Sequence, residues 1–296
     1  MTTLAACAFA GDYDVAANLD AHLRYIDDAA DQGAELVAFP EVSLHGYPPD
    51  VTAAELGAVL ERAYAIAEPV PDGPSVRAIA DRARQRRVHV IYGLHEAGER
   101  RGIIYNTTVL TGPDGHIGSY RKVHVGVGER LIWRLGHDWP VFETTFGRIG
   151  MLICWDADFP ESARELTLRG ADLLVVCSAW DRFAHDGEPG ASVSEQLYEL
   201  YLRARAAENG RWLIAANYTG ELGGRQYIGA SQIVSPLGEV LASSGAAGIG
   251  LTLKSVELEE GIAAAYTAWE GPYVIRDRRP ETYLALNGAL APAIDG

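Results

Sequence analysis

Apolar residues along the chain alternate between short continuous runs and runs at helical spacing. Residues 4–9 are almost continuously apolar, which is typical of a buried strand. Apolar side chains then recur three or four positions apart through residues 15–30, with Asp14 placed to cap this helix and Gly33 to end it. The chain therefore begins with a strand followed by an amphipathic helix.

The same two patterns predict the elements of the remaining chain. Further strands are predicted at 35–39, 88–93, 106–111, 116–123, 140–144, 148–153, 171–178, 212–217, 228–234, 239–242 and 250–258. Helices are predicted at 56–66, 76–83, 161–169 and 192–209. The turn sequence Gly-Pro-Asp-Gly at 112–115 predicts an antiparallel hairpin. These elements indicate an α/β protein with more strands than a single open sheet requires.

The length and the absence of a linker favour one domain with a tail. The chain has 296 residues and contains neither an internal repeat nor a Gly/Pro/Ser-rich separator. We assign residues 1–260 to a single domain. Residues 261–296 form a C-terminal tail that is too irregular to fold alone, and we expect it to pack on a partner subunit.

Charge and cysteine content exclude several classes of function. The net charge of −15 disfavours binding to nucleic acid or to an anionic membrane surface. No apolar run approaches the roughly 18 residues of a membrane-spanning helix. The N-terminal residues lack a basic region, so we predict no signal peptide and a cytoplasmic protein. Three widely spaced cysteines predict reduced thiols and neither a disulfide framework nor a metal site.

One of these cysteines, Cys154, directly follows the apolar run at 151–153, where a strand gives way to a helix that begins near Pro160. A thiol near a helix N-terminus can have a lowered pKa, and the thiolate is the nucleophilic form. The alternative is that Cys154 is a small buried apolar residue. Cys154 is therefore a candidate nucleophile.

Two further polar residues lie at predicted strand ends. Glu41 follows the strand at 35–39, and Lys122 lies at the end of the hairpin that closes near residue 123. A cysteine that attacks a carbonyl or nitrile carbon needs a base and a donor for the developing anion, and a glutamate and a lysine supply those types. The alternative for Glu41 is an exposed loop glutamate.

The motifs around these residues resemble those of the nitrilase superfamily of carbon–nitrogen hydrolases. Phe39-Pro-Glu41 is followed by His-Gly-Tyr, and Lys122 lies in Tyr-Arg-Lys-Val-His. Cys154 lies in Cys-Trp-Asp-Ala-Asp-Phe-Pro-Glu, 32 residues after Lys122. Later segments at 205–217 and 229–238 resemble the scaffold segments of the family. The five segments occur in the family order across the whole chain.

The resemblance implies a four-layer αββα sandwich and a Glu-Lys-Cys catalytic triad. It implies that Cys154 is the nucleophile, Glu41 the general base and then acid, and Lys122 the stabiliser of the tetrahedral intermediate. The N–H of Trp155 would complete the oxyanion hole. Many members of the family have a further glutamate that positions the substrate or the lysine, and Glu129 matches it. The alternative is that Glu129 is a solvated loop carboxylate.

The resemblance also suggests a substrate class. Cys-Trp-Asp, in place of the Cys-Trp-Glu of true nitrilases, resembles the amidase and carbamoylase branches, so we predict a small-molecule amide substrate hydrolysed through a thioester. An N-carbamoyl substrate is the alternative; its carboxylate would require a cation such as Arg130, Arg134 or Arg182. A nitrile is the less favoured substrate.

Further expectations concern the pocket and the partners. Tyr47, Trp155 and Trp180 are predicted to form pocket walls, with core packing as the alternative. The resemblance implies no cofactor or metal, and a homodimer or higher homo-oligomer. A catalytically silent scaffold protein is the non-enzymatic alternative, although no triad residue is missing.

Overall fold

Two six-stranded β-sheets form the framework of the protein. The computed structural model describes residues 1–49, 54–183, 192–268 and 273–283. Its strands are β1 (Thr2–Ala8), β2 (Leu36–Ala38), β3 (His89–Ala97), β4 (Ile104–Gly112), β5 (Gly115–Arg121), β6 (Val141–Thr144), β7 (Gly147–Ile153), β8 (Leu173–Ser178), β9 (Trp212–Asn217), β10 (Thr219–Leu222), β11 (Arg225–Ile228), β12 (Gln232–Val234), β13 (Val240–Ser243) and β14 (Gly250–Val256). Its helices are α1 (Val15–Asp31), α2 (Leu56–Ile66), α3 (Pro74–Arg86), α4 (Pro160–Leu168), α5 (Val193–Ala207), α6 (Leu258–Thr267) and α7 (Tyr273–Arg276).

The two sheets have the same kind of strand arrangement. One has the order β14-β1-β2-β3-β4-β5, and the other has the order β13-β12-β9-β8-β7-β6. Each has a parallel centre, β1-β2-β3 in the first and β7-β8-β9 in the second, and antiparallel outer strands. Strands β10 and β11 form a separate hairpin. The candidate residues Glu41, Lys122 and Cys154 follow β2, β5 and β7, so both sheets contribute to the site.

The sheets pack face to face and are covered by helices outside. Leu4 and Ala6 of β1 belong to the apolar core between the sheets, whereas Ala5 and Cys7 pack toward α1 and α3. Alternate residues of β8 are likewise divided between the core and the layer containing α4 and α5. Because both faces of the central strands are buried, their sequences are continuously apolar. The predicted four-layer αββα sandwich is confirmed.

Most predicted elements agree with the structure within a few residues. Asp14 caps α1 as predicted, since its carboxylate accepts from the Ala16 N–H at 2.9 Å. The single strand predicted at 228–234 is wrong: β11 ends at Ile228 and β12 begins at Gln232. The backbone between them has positive φ at Gly229 and Ala230, which breaks the extended conformation. The β10–β11 hairpin was not predicted.

The predicted boundary at residue 260 falls inside α6. The Trp212 Nε1 donates to the Leu258 carbonyl oxygen at 3.0 Å, which anchors this helix to β9. A Cβ atom on Gly261 would lie 2.2 Å from the Trp212 ring, so a glycine permits this contact. Residues 269–272 and 284–296 of the predicted tail lie outside the described residues, and its packing on a partner stays a prediction. None of the described helices combines the length and apolarity needed to cross a membrane.

Candidate active site

Glu41, Lys122 and Glu129 form one hydrogen-bonded group. The Lys122 Nζ donates to Oε1 of Glu41 and to Oε1 of Glu129, at 2.7 Å in each case. The side chains of Glu41 and Lys122 are 0% and 1% exposed. A charged amine at this depth requires opposite charges beside it, and the two carboxylates supply them. The structure thus brings together three of the four residues predicted from the sequence to act in the reaction.

The position of Glu41 depends on a tight turn after β2. Val42 has φ of +49°, a conformation uncommon for a β-branched residue. The Leu44 N–H donates to the Gly93 carbonyl oxygen at 3.0 Å and holds this turn against β3. A Cβ atom on Gly93 would lie 2.2 Å from the Val42 nitrogen. Glycine at this position therefore allows the close approach that sets the Glu41 turn.

Two further donors orient the Glu41 carboxylate. The Asn106 Nδ2 donates to Oε1 at 2.6 Å, and the Ala179 N–H, directly after β8, donates to Oε2 at 3.0 Å. Glu41 is therefore held by groups from both sheets. Hydrogen bonds to a carboxylate favour its ionised form. Neither donor was predicted from the sequence.

Glu129 is a buried partner of Lys122. The alternative considered from the sequence, that Glu129 is a solvated loop carboxylate, is wrong. Its side chain is 15% exposed. The Tyr47 hydroxyl donates to Oε1 at 2.6 Å, and the Gly126 N–H donates to Oε2 at 2.6 Å. These contacts leave Glu129 ionised beside Lys122 and connect it to the loop that carries Tyr47.

Cys154 lies where β7 ends and a short 3-10 helix, Cys154–Asp158, begins. Its φ is +46°, in the left-handed region that non-glycine residues rarely adopt. Such a conformation costs about 1–3 kcal/mol and persists only where neighbouring contacts maintain it. Its side chain is half-buried and lines a cleft together with Lys122 and Glu129.

The buried carboxylate of Asp156 ties the cysteine turn to the lysine segment. Its Oδ2 accepts from the Ile153 N–H at 2.9 Å and from the Tyr120 hydroxyl at 2.7 Å. Its Oδ1 accepts from the His124 N–H and lies 2.9 Å from the His124 Nδ1. Because Tyr120 and His124 flank Lys122 in the chain, this one carboxylate fixes the two segments relative to each other.

Arg205 of α5 holds the other end of the 3-10 helix. Its Nε donates to the Ala157 carbonyl oxygen and its Nη2 to the Asp158 carbonyl oxygen, at 2.8 Å in both cases. A cation at the C-terminal end of a helix interacts favourably with the exposed carbonyl groups. Arg205 belongs to the segment at 205–217 that the sequence analysis treated as scaffold, and its contact with the cysteine turn was not foreseen.

The charges of Lys122 and Glu129 stabilise each other. Burial acts to lower the pKa of Lys122, but the carboxylates of Glu129 and Glu41 outweigh burial and hold this pKa well above its usual range. Burial acts to raise the pKa of Glu129, but Lys122 and the hydrogen bonds to the carboxylate lower it overall. Both groups are therefore charged at neutral pH.

Glu41 and Cys154 are shifted in the opposite sense, toward their neutral forms. Burial raises the pKa of Glu41 in spite of the charge of Lys122. Burial also raises the pKa of Cys154 well above its usual range, and the charge of Glu41 acts in the same direction. A helix N-terminus can lower the pKa of a thiol, but here desolvation and the nearby carboxylates outweigh that effect. The resting thiol keeps its proton, and a base must remove it.

The cleft has a volume of about 530 Å³ and contains the predicted aromatic walls. Tyr47, Trp155 and Trp180 all line it, and Trp155 is 37% exposed. Its lining residues are Tyr47, Lys122, Gly126, Val127, Glu129, Cys154, Trp155, Asp158, Ala179, Trp180, Asp181, Phe183 and Arg225. In the described part of the chain, no three His, Cys, Asp or Glu side chains are grouped to hold a metal ion.

Comparisons with known proteins agree with this geometry. The carbon–nitrogen hydrolase family model matches residues 3–266. A probable nitrilase of Schizosaccharomyces pombe is 34% identical over 280 residues, covering 92% of this chain and 93% of that protein. An N-carbamoylputrescine amidase of Solanum lycopersicum is 28% identical, covering 97% and 95%.

A solved structure is also similar. A glutamate-to-glutamine mutant of the amidase from Nesterenkonia sp. AN1 is 26% identical with a TM-score of 0.72, and the match covers 95% of each chain. In that structure the acetamide moiety of fluoroacetamide is covalently attached to the active-site cysteine.

Proposed function

Because this chain belongs to the carbon–nitrogen hydrolase family, we propose that it hydrolyses small amides through a thioester on Cys154. The observation that carries the proposal is the buried Glu41–Lys122–Glu129 group, joined by 2.7 Å contacts, of which Lys122 and Glu129 line the same cleft as Cys154. A base, a cation and a nucleophile in one desolvated site are the groups that acyl transfer requires.

In the first step, Glu41 takes the thiol proton while the sulfur attacks the amide carbonyl carbon. The raised pKa of Glu41 suits this role, since a base with a pKa nearer the working pH transfers protons in both directions. Two N–H donors of Lys122 contact the carboxylates, which leaves the third for the developing oxyanion. The Trp155 N–H, at the start of the 3-10 helix, is the proposed second donor.

The tetrahedral intermediate then breaks its carbon–nitrogen bond. Protonated Glu41 gives its proton to the leaving nitrogen, ammonia departs, and the acyl group stays on the sulfur as a thioester. Glu41 next removes a proton from water, which attacks the thioester carbon and releases the carboxylic acid with the thiol restored. The net reaction consumes one amide and one water and yields one acid and one ammonia.

The proposal is tested by ammonia release from a panel of small amides, N-carbamoyl amino acids, N-carbamoyl amines and nitriles. We expect turnover of amides by the wild type and none by Cys154→Ala. Turnover confined to nitriles or to carbamoyl compounds would replace the amidase assignment. Turnover that persists in the variant would exclude a reaction through Cys154.

If the substrate is an N-carbamoyl compound, we favour an N-carbamoyl amine over an N-carbamoyl amino acid. None of the three arginines considered for a substrate carboxylate, Arg130, Arg134 and Arg182, lines the cleft, and Arg182 is paired with Glu195 at 2.8 Å. The cleft is lined by Arg225, which forms an ion pair with Asp181 at 2.6 Å. A similar protein named N-carbamoylputrescine amidase supports keeping an N-carbamoyl amine as the second candidate.

Replacement of Glu129 with glutamine is expected to move the acid limb of the kcat/KM profile to lower pH. The wild-type limb should lie above the pKa of an unperturbed glutamate, about 4.3, because protonated Glu41 cannot act as a base and its pKa is raised. The negative charge of Glu129 contributes to that rise, so its removal lowers the pKa of Glu41.

Rate profiles between about pH 4 and 9 measure this shift. The matched control is Glu259→Gln at an exposed position of α6, which should retain the wild-type profile. An acid limb that stays in place or moves to higher pH in Glu129→Gln would contradict the assignment of Glu41 as the base.

A homodimer or higher oligomer is part of the proposal. Val193 and Leu200, seven positions apart on one face of α5, are 56% and 59% exposed. Leu168 at the end of α4 is 43% exposed. Burying these side chains between two copies would remove apolar surface from water. Light scattering should give at least twice the mass of one chain.

A further inference from the structure

The carboxylate of Asp158 lies in the wall of the cleft, and one of its oxygens has no hydrogen-bond partner among the described residues. Asp158 ends the 3-10 helix that begins at Cys154, and it lines the same cleft as Cys154 and Lys122. Its Oδ1 is buried and accepts no hydrogen bond from the residues that the structure describes. A buried carboxylate oxygen without a donor is unfavourable. The Asp158 residue as a whole is only partly buried and lines the cleft, so its carboxylate is open to a donor that arrives with the substrate.

The neighbouring cations are engaged elsewhere. The Arg205 guanidinium donates to the carbonyl oxygens of Ala157 and Asp158 and to Glu208, and it makes no ion pair with the Asp158 side chain. Lys122 lies between its two glutamates. Burial raises the pKa of Asp158 to about 6 in spite of both cations, so the group is charged at neutral pH and insufficiently compensated.

Among the described residues that line the cleft, both cations, Lys122 and Arg225, already contact other carboxylates. Arg225 and Asp181 form an ion pair at 2.6 Å, and Lys122 contacts both Glu41 and Glu129. Asp158 therefore adds a negative charge that the cleft does not itself neutralise. A carboxylate-bearing substrate would be repelled here, whereas a cationic one would be attracted.

We propose that Asp158 determines substrate specificity by binding a protonated amine at the far end of the amide substrate. The inference rests on the proposed amide hydrolysis and adds the substrate class: amides that carry an ammonium group, in preference to neutral or anionic ones of similar length. Asp158 acts by attraction and hydrogen bonding to this group and takes no part in the covalent steps.

The test compares three amides that differ mainly in their terminal group: 4-aminobutanamide, pentanamide and glutaramate. The wild type should have a kcat/KM for 4-aminobutanamide at least about tenfold above that for pentanamide, as expected for a hydrogen bond between charged groups. Asp158→Asn should bring this ratio close to one, and Asp158→Lys should shift preference toward glutaramate. The control is Asp20→Asn on the exposed face of α1, which should keep the wild-type ratio.

An equal ratio in the wild type and Asp158→Asn would overturn the inference, and so would a wild type that turns over all three amides equally. Either result leaves the proposed function intact, since amides are hydrolysed.

A second measurement is independent of turnover. Propylammonium should slow alkylation of Cys154 by iodoacetamide in the wild type more than 1-propanol does, and this difference should disappear in Asp158→Asn. If no amide is hydrolysed, equal protection by the two compounds would still overturn the inference. Thermal unfolding of each variant establishes that it is folded.

Discussion

Replacement of Cys154 with alanine is expected to lower kcat/KM for amide hydrolysis by at least about 10⁴-fold. In the proposed reaction the sulfur forms the covalent bond to the substrate. Without it, water held by Glu41 would have to attack the same carbonyl carbon directly, which is much slower. The fold should be retained, because Cys154 is only half-buried and alanine leaves the Asp156 contacts to the turn in place. Steady-state ammonia release measures the loss.

The matched control for this variant is Cys7→Ala. Cys7 is fully buried in β1, packs toward α1 and α3, and does not line the cleft. Its removal should leave kcat/KM within about twofold of the wild type, with a small loss of stability from the missing sulfur contacts. Comparable loss of activity in both variants would indicate that Cys154 matters for folding rather than for the reaction.

Replacement of Lys122 with methionine is expected to produce the largest loss of stability, about 3–5 kcal/mol, together with loss of activity. Methionine has a similar length but removes the only cation in contact with two buried carboxylates among the described residues. Breaking a buried pair leaves uncompensated charge in a desolvated site. Chemical denaturation measures the free energy of unfolding.

The pH dependence of this loss distinguishes charge from packing. Without Lys122, the folded protein raises the pKa values of Glu41 and Glu129 above those of the unfolded chain. Their contribution to the free energy of unfolding is then favourable and complete below about pH 4. It is lost as the pH rises through the raised pKa values of the folded state. We therefore expect a larger deficit relative to wild type at about pH 8 than at about pH 5.

The control is Lys254→Met on β14, where the lysine is exposed. It should change stability by no more than about 0.5 kcal/mol at either pH. A Lys122→Met deficit that is the same at both pH values would show that lost packing, and not unpaired charge, is responsible.

The sequence predicted the main elements of the site because their signals are local. Glu41 and Cys154 each follow an apolar strand, Lys122 follows the second strand of a hairpin marked by its turn sequence, and short motifs surround all three. The layers of the fold could also be predicted, since strands buried on both faces, such as β8, have continuously apolar sequences. The break between β11 and β12 was missed because positive φ at a non-glycine residue, Ala230, leaves little trace in a pattern of apolar positions.

The contacts that position the site could not be predicted, because they join distant segments. Asn106 lies 65 residues from Glu41, and Arg205 lies 48 residues from the Ala157 carbonyl group that it holds. The direction in which the pKa of Cys154 is shifted could not be predicted for the same reason. The desolvation and the carboxylates that raise it come from other segments of the chain.

The most direct test of the account is detection of the thioester on Cys154. Wild-type protein is mixed with a good amide substrate, quenched in acid within the first turnovers and analysed by intact-protein and peptide mass spectrometry, with Glu41→Gln in parallel. We expect a mass increase equal to the substrate minus ammonia on the peptide that contains Cys154, and no such increase in Cys154→Ala. A different result would contradict a reaction through Cys154: the wild type releases ammonia rapidly, even with an initial burst, but neither protein carries an acyl group on Cys154.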